Sequence, residues 1–184
     1  MNNGYKDYIV EVPNFPTEGV SFKDISPLLA DQETFRSAIV EMGDLCTNGE
    51  LHDAPDYWVG IDARGFLFAS ALATYFGGGV VMARKKGELP PPTIDVQYNT
   101  EYSMDYISIK KGTGKIIIVD DVLATGGTLM AVNQLCEEAG YDILHNLVLI
   151  DLEYVPRVVK NWPQNNKDFD LEVKSLIQYG KELG

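Results

Sequence analysis

Residues 116–128 describe a buried strand that ends in two acids and is followed by a glycine pair. Four consecutive β-favouring aliphatic residues, Ile116–Val119, are typical of a central parallel strand covered on both faces. Asp120 and Asp121 follow at once, and a short loop then leads to a helix that opens with the residues ATGGT. Because ligands of open α/β sheets bind outside the carboxyl ends of the strands, this segment predicts a binding site.

The helix start after this strand suits a phosphate group. Glycines let backbone N–H groups approach an anion closely, and the N-terminus of a helix attracts negative charge. Thr125 and Thr128 add hydroxyl donors, whereas the two carboxylates suit sugar hydroxyls or a cation. A phosphate beside a diol indicates a ribose 5-phosphate. The alternative is a strand that ends in solvated acids, with glycines that serve only a tight turn.

Net charge supports a phosphate site made of backbone groups. The 184 residues include 15 Lys and Arg against 27 Asp and Glu, a formal net charge of −12. We therefore expect no binding to nucleic acid or to an anionic membrane, since both favour a basic face. The sequence has no apolar run of about 18 residues and no basic, apolar leader at MNNGYKDYIVEVPNF, so neither a membrane span nor a signal peptide is expected. The only cysteines, Cys46 and Cys136, form no metal motif and favour a reducing cytoplasm.

The order of predicted elements indicates one α/β domain over residues 1–184. Apolar spacing predicts a helix over 34–46, capped by Asp31. Further helices are predicted at 65–76, 128–139 and, more briefly, near 155–162, and strands at 56–62, 80–83, 115–121, 143–152 and 171–179. Residues 1–33 combine turn formers with many apolar groups, which predicts an ordered but irregular arm packed on a core of residues 34–184.

Residues 84–92, with the sequence RKKGELPPP, interrupt this alternation. Three cations, a glycine and three prolines predict an exposed loop. The alternating pattern over 94–109 then predicts a pair of strands around 99–101.

The segment IIIVDDVLATGGT resembles the phosphoribosyl-pyrophosphate (PRPP) binding motif of the type I phosphoribosyltransferases. Further segments resemble the members of that family that use adenine, in order along nearly the whole chain: FPTEGVSFKDISPLL (Phe15–Leu29), VGIDARGFLFASALA (Val59–Ala73), RKKGELP (Arg84–Pro90), Glu101-Tyr102 and SLIQYG (Ser175–Gly180). The resemblance implies the type I phosphoribosyltransferase fold, a mostly parallel central sheet flanked by helices. It adds a small hood formed by the N-terminal arm and a flexible β-hairpin loop at 84–109.

The resemblance also implies a function. It indicates a purine salvage enzyme that converts adenine and PRPP to AMP and pyrophosphate by displacement at ribose C1, through an oxocarbenium-like transition state. A cytoplasmic homodimer is expected. Mg²⁺ is the expected cofactor, held mainly by PRPP and water and not directly by the protein.

Site residues follow from the same resemblance. Those assigned to the ribose and its 5-phosphate are Asp120, Asp121, Ala124, Thr125, Gly126, Gly127 and Thr128. Those assigned to pyrophosphate are Ala63, Arg64, Arg84 and Lys85, with Arg84 acting partly across a dimer interface. Those assigned to adenine are Phe22, by stacking, and the backbone of Ser21 and Lys23. Those assigned to catalysis are Asp120 and Asp121, which favour a cationic sugar, and Glu101, as general acid/base for the purine proton.

Each assignment has a structural alternative. Arg64 could form a surface ion pair, Phe22 could anchor the core, and Glu101 could be an ordinary exposed carboxylate. The alternatives for function are the same chemistry on hypoxanthine, guanine or xanthine, and a non-catalytic regulator that senses PRPP. The chain departs from the family at Lys23, where arginine is frequent, and at Glu88, where a lysine often follows the loop glycine.

Overall fold

The computed structural model describes residues 4–47, 54–99, 104–157 and 171–180. The strands in these ranges are β1 (Val10–Pro13), β2 (Ser21–Asp24), β3 (Tyr57–Ile61), β4 (Gly79–Lys85), β5 (Ile94–Asn99), β6 (Met104–Ile109), β7 (Gly114–Leu123), β8 (Tyr141–Leu152) and β9 (Val173–Tyr179). The helices are a 3₁₀ helix (Gly4–Tyr8), α1 (Ser26–Ala30), α2 (Gln32–Thr47), α3 (Gly65–Phe76) and α4 (Gly127–Ala139). None of the helices in the described ranges is long and apolar enough to cross a membrane.

The main sheet has seven strands in the order β5-β6-β4-β3-β7-β8-β9. The five strands β4, β3, β7, β8 and β9 run parallel to one another. The β5–β6 hairpin is antiparallel and joins the end of β4. This topology confirms the predicted mostly parallel α/β sheet, and it places the carboxyl ends of β3, β7 and β8 side by side.

The central strand β7 is buried on both faces, as its apolar run predicts. Ile117 and Val119 pack in the core that contains α2 and α3, whereas Ile116 and Ile118 pack in the core that contains α4. Burial on both faces explains why the sequence shows consecutive aliphatic residues here instead of alternation.

The helix α2 begins where its cap was predicted. The Asp31 carboxylate accepts a hydrogen bond from the backbone N–H of Thr34 at 2.9 Å, which satisfies one N–H group of the first turn. The helix predicted near 155–162 is not formed at 155–157, and residues 158–162 lie outside the described ranges.

Two predicted irregular segments contain regular structure. The arm forms the β1–β2 hairpin and the short helix α1, so the prediction of an irregular arm was wrong. Arg84 and Lys85, predicted to open an exposed loop, are the last residues of β4. They extend that strand because they pair with Ser108 and Ile107 of β6.

Candidate active site

The two predicted acids lie within β7, near its carboxyl end. The strand runs on to Leu123, two residues beyond the predicted end, so Asp120 and Asp121 alternate in direction. Asp121 is 4% exposed, whereas Asp120 is half-buried. The backbone N–H of Asp121 donates a hydrogen bond to Asp120 Oδ1 at 2.9 Å, which fixes one carboxylate against the strand.

The loop after β7 leads into a helix N-terminus, as the glycine pair predicts. Gly126 has a φ of 90°, a left-handed conformation that other residues rarely adopt, and α4 begins at Gly127. The N–H of Met130 donates to the Gly126 carbonyl at 3.0 Å. The N–H groups of residues 127–129 precede this bond and have no acceptor within the helix. Together with Thr125 and Thr128, these N–H groups form the segment for which the sequence predicts an anion cradle.

Arg64 connects three parts of the predicted site. It precedes α3, and its Nε lies 2.9 Å from Asp121 Oδ2. Its guanidinium carbon lies 4.9 Å from the centre of the Phe22 ring. This Asp121 oxygen is buried and has no hydrogen-bond donor in the described part of the chain, so the contact with Arg64 is an ion pair without hydrogen-bond alignment. Arg64, which was assigned to pyrophosphate, therefore contacts both Asp121, which was assigned to ribose, and Phe22, which was assigned to adenine.

Close packing holds α3 against the end of β7. A Cβ atom added to Gly65 would lie 2.6 Å from the carbonyl oxygen of Val119 and 3.3 Å from Asp120 Oδ1. Only a glycine fits here without a shift of one of the two elements, so this contact sets the distance between Arg64 and the acids of β7.

Arg84 is held by acids. Its Nε lies 3.3 Å from Asp62 Oδ2, its Nη2 lies 2.5 Å from Glu88 Oε2, and its Nη1 donates to the Glu88 carbonyl at 3.3 Å. Glu88, the departure from the family pattern, thus binds the arginine that was assigned to pyrophosphate. Lys85 is exposed next to it, and Ala63 follows Asp62 through a cis peptide bond.

The arm residues assigned to adenine point in two directions. Ser21 and Lys23 both contact the carboxylate of Glu11, and the Lys23 Nζ–Glu11 Oε1 distance is 2.9 Å. Lys23 is 4% exposed, and its Nζ lies 4.5 Å from the centre of the Tyr179 ring. Phe22 lies on the opposite side of β2, because strand side chains alternate. The Lys23 side chain therefore fastens the arm to the core, and only its backbone is available to a base.

Phe22 is a half-buried ring at the site. Phe15 packs against it edge-on with ring centres 5.2 Å apart, and Arg64 lies over it. Glu101 lies outside the described residues, so its assigned role stays a prediction.

Sequence reasoning missed Arg157. Its guanidinium contacts the carbonyl of Ala124 in the cradle and the carboxylate of Asp151. Its place shortly after β8, the strand next to β7, was the available signal, because the carboxyl ends of neighbouring parallel strands meet.

Burial disfavours the charged form of both Asp120 and Asp121. It raises the pKa of Asp120 well above the ordinary value of 3.8, and the charge of Asp121 raises it further. Burial also raises the pKa of Asp121, although the Arg64 guanidinium opposes this rise. Asp120 keeps part of its surface in solvent, which limits the shift. Two neighbouring acids with raised pKa values are typical of a functional site and are stabilised by a ligand with hydroxyl donors or positive charge.

We expect Asp120→Asn to raise the free energy of unfolding while lowering activity. The folded-state pKa lies above the unfolded value, so the folded protein loses stability as pH rises through these two values. Asparagine keeps the Oδ1 acceptor for the Asp121 N–H but has no charge to bury. Urea unfolding at several pH values should show a gain over wild type that grows from pH 4 to pH 8. A gain that shrinks with rising pH would contradict the raised pKa.

Comparisons with known proteins show the family to which the chain belongs. The family model described as the phosphoribosyl transferase domain matches residues 46–173. An adenine phosphoribosyltransferase from Hydrogenovibrio crunogenus is 44% identical over 94% of this chain and 94% of its own length. One from Bdellovibrio bacteriovorus is 40% identical over 95% of this chain and 98% of its own length.

Solved structures agree with these sequences. The crystal structure of adenine phosphoribosyltransferase from Thermoanaerobacter pseudethanolicus has a TM-score of 0.82 and 36% identity, and the match covers 95% of this chain and 98% of that one. The Saccharomyces cerevisiae enzyme, crystallised with adenine and an imino-altritol bisphosphate, has a TM-score of 0.78 and 29% identity, over 93% and 95% of the two chains.

The mostly parallel sheet and the match to the family model define an α/β enzyme of phosphoribosyl transfer. Within that class, the chain belongs to the adenine phosphoribosyltransferase family.

Proposed function

We propose that this chain transfers the phosphoribosyl group of PRPP to adenine, giving AMP and pyrophosphate in purine salvage, as a single domain of residues 1–184. The observation that carries the proposal is the meeting of Phe22, Arg64 and Asp121 at the carboxyl edge of the sheet. The adenine bound to the S. cerevisiae relative supports the same base here.

The cradle and the acid pair bind the pentose part of PRPP. The N–H groups of the first turn of α4, with the Thr125 and Thr128 hydroxyls, hold the 5-phosphate. Asp120 and Asp121 accept hydrogen bonds from the 2′- and 3′-hydroxyls. Their negative charge also favours the oxocarbenium-like sugar over the neutral ground state, which lowers the barrier to displacement.

Arginines bind the pyrophosphate that leaves. Arg64 and Arg84 grip phosphate oxygens in two-point fashion, and Ala63 and Lys85 lie beside them. Arg84 first exchanges Glu88 and Asp62 for the substrate. The β5–β6 hairpin closes over the site and keeps water from the sugar.

Mg²⁺ fits this site as a partner of the substrate. The described residues contain no group of three or more His, Cys, Asp or Glu placed to hold a metal ion. Mg²⁺ generally keeps several waters and binds substrate phosphates, so PRPP and water would hold it. The buried Asp121 Oδ2, which has no hydrogen-bond donor among the described residues, can accept from one of those waters or from a sugar hydroxyl. The metal would neutralise charge on the leaving pyrophosphate.

The β1–β2 hairpin forms the adenine site. Phe22 stacks on the base, and the backbone of Ser21 and Lys23 reads its edge. In the described structure β2 pairs only with β1, which leaves its other edge open. A backbone N–H and C=O there match the N1 acceptor and the N6 donor of adenine. Glu101 serves as general acid/base for the purine proton.

A homodimer is part of the proposal. Leu67 on α3 and Val80 and Met82 on β4 are large apolar side chains left exposed on adjacent elements. Exposed apolar groups of this kind are typical of subunit interfaces. Cys46 and Cys136 are free and buried, which supports a reducing compartment such as the cytoplasm.

Side-by-side kinetics on four bases test the function. With PRPP and Mg²⁺, adenine should give the highest kcat/KM, and hypoxanthine, guanine and xanthine should react slowly, because 6-oxopurines reverse the donor and acceptor at N1 and C6. Fast turnover of a 6-oxopurine with negligible turnover of adenine would refute the base assignment. Binding of PRPP without pyrophosphate release with any base would favour the regulator.

A further inference from the structure

Arg157 joins the cradle loop to the neighbouring strand. It follows β8, and its side chain is 22% exposed. One guanidinium nitrogen, Nη1, donates to the carbonyl of Ala124 and, at 3.2 Å, to that of Leu152. The other, Nη2, forms an ion pair with the carboxylate of Asp151. A single planar group thus connects the loop after β7 with the end of β8.

The contact with Ala124 fixes the direction of the next N–H group. The peptide bond between Ala124 and Thr125 is not among the cis bonds of the chain, so it is trans. In a planar trans peptide the C=O and the following N–H point in opposite directions. Because Arg157 binds the Ala124 oxygen on one side of the loop, the Thr125 N–H points to the other side, away from the guanidinium.

This orientation matters for an anion. If the peptide rotated, its carbonyl oxygen would face the bound phosphate and repel it. With the carbonyl held by Arg157, Thr125 adds a donor to those of the first turn of α4. A hydrogen bond to the carbonyl also polarises the peptide and strengthens its N–H as a donor.

The charge of Arg157 is largely balanced before any ligand binds. Asp151 pairs with the guanidinium, so attraction of phosphate over a distance is small. The specific contribution of Arg157 is the geometry of its guanidinium group, whose N–H donors contact Ala124, Leu152 and Asp151 at the same time. Lysine carries the same charge but cannot reproduce that geometry.

We propose that Arg157 is a positioning residue for phosphate binding: it holds the Ala124 carbonyl and thereby directs the Thr125 N–H at the 5-phosphate. The inference rests on the proposed function for the identity of the phosphate. It does not require that the chain transfer any base.

Titration with ribose 5-phosphate tests this role apart from catalysis. Arg157→Met should bind ribose 5-phosphate about tenfold more weakly than wild type, and Arg157→Lys should bind it severalfold more weakly. Adenine affinity should stay within about twofold in both. Arg36→Met on the exposed face of α2 is the matched control, with the same loss of charge and unchanged affinity for both ligands. In steady state, the KM for PRPP should rise while the KM for adenine does not.

Three results would overturn the inference. The first is unchanged affinity for ribose 5-phosphate in both Arg157 variants, and the second is no binding of ribose 5-phosphate to wild type. The third is an equal loss of affinity for ribose 5-phosphate and adenine, which would indicate a general structural role. If the Met variant does not fold, the Lys variant decides between these outcomes. The Arg157 variants could bind ribose 5-phosphate more weakly, as expected, while the wild-type protein transfers phosphoribose to none of the four bases. That combination would refute the proposed function and would still support this inference.

Discussion

Asp121→Asn is expected to lower kcat/KM by more than tenfold, which corresponds to at least about 1.4 kcal/mol of transition-state stabilisation. The side chain is buried at the end of β7, and its Oδ2 faces Arg64. Asparagine removes the negative charge that is proposed to favour a cationic sugar. It also turns an N–H₂ group toward either the guanidinium or a substrate hydroxyl, where an acceptor is needed.

Steady-state kinetics with both substrates measure this effect. Asp142→Asn provides the control, because Asp142 is an exposed acid at the opposite end of the sheet, where β8 begins. Both variants remove one carboxylate. A loss of kcat/KM that occurs only in Asp121→Asn is therefore due to the position of this carboxylate and not to the change in net charge. Unchanged kinetics in Asp121→Asn would falsify the role assigned to this carboxylate.

Gly65→Ala should reduce both activity and stability. The new Cβ would lie 2.6 Å from the Val119 carbonyl oxygen, which belongs to the backbone of the central strand and cannot turn aside. The start of α3 must therefore shift away from β7, and Arg64 moves with it. Overpacking of this kind costs about 1–3 kcal/mol of folding free energy. We expect at least a tenfold loss of kcat/KM, because displacements of about 1 Å at a catalytic site have effects of that size or larger.

Gly4→Ala is the matched control for this variant. Its chain neighbours apart, a Cβ at Gly4 meets no atom of the described residues within 4 Å, so the same chemical change there should leave activity and unfolding within error of wild type. Chemical denaturation and PRPP kinetics on the two variants give the comparison. A Gly65→Ala protein with wild-type kcat/KM would show that the contact between α3 and β7 does not set the site geometry.

The parts of the molecule that sequence predicts well are those in which local pattern and tertiary environment agree. The apolar run of β7, the helix α3 and the glycine pair before α4 each carry their own signal over a few adjacent residues. The strand β7 was placed correctly but extends two residues further, since its pairing with β8 continues to Leu123.

The arm and the end of β4 show why the rest was missed. The strands β1 and β2 have four residues each, too few for a clear alternation, and contacts such as Lys23 with Glu11 and Tyr179 stabilise their arrangement. Arg84 and Lys85 have the composition of a loop, yet pairing with β6 overrides that preference.

The same limit explains Arg157. It lies 33 positions from Ala124, and its partner there is a backbone carbonyl. Because every residue has a backbone carbonyl, the residue type at position 124 carries no signal of this contact, and no sequence motif predicts it. Only the parallel pairing of β7 with β8 brings the two loops together.

The strand β7 contributes alternate side chains to two separate apolar cores, and the arm adds Tyr5, Ile9, Ile25 and Leu28 to the core that contains α2 and α3. A change in either core can therefore tilt the acids at the end of this strand, even when it lies far from any ligand. Under the proposed function, recognition of the pentose therefore depends on the packing of both cores, whereas the ring proposed to stack on the base, Phe22, belongs to neither of them.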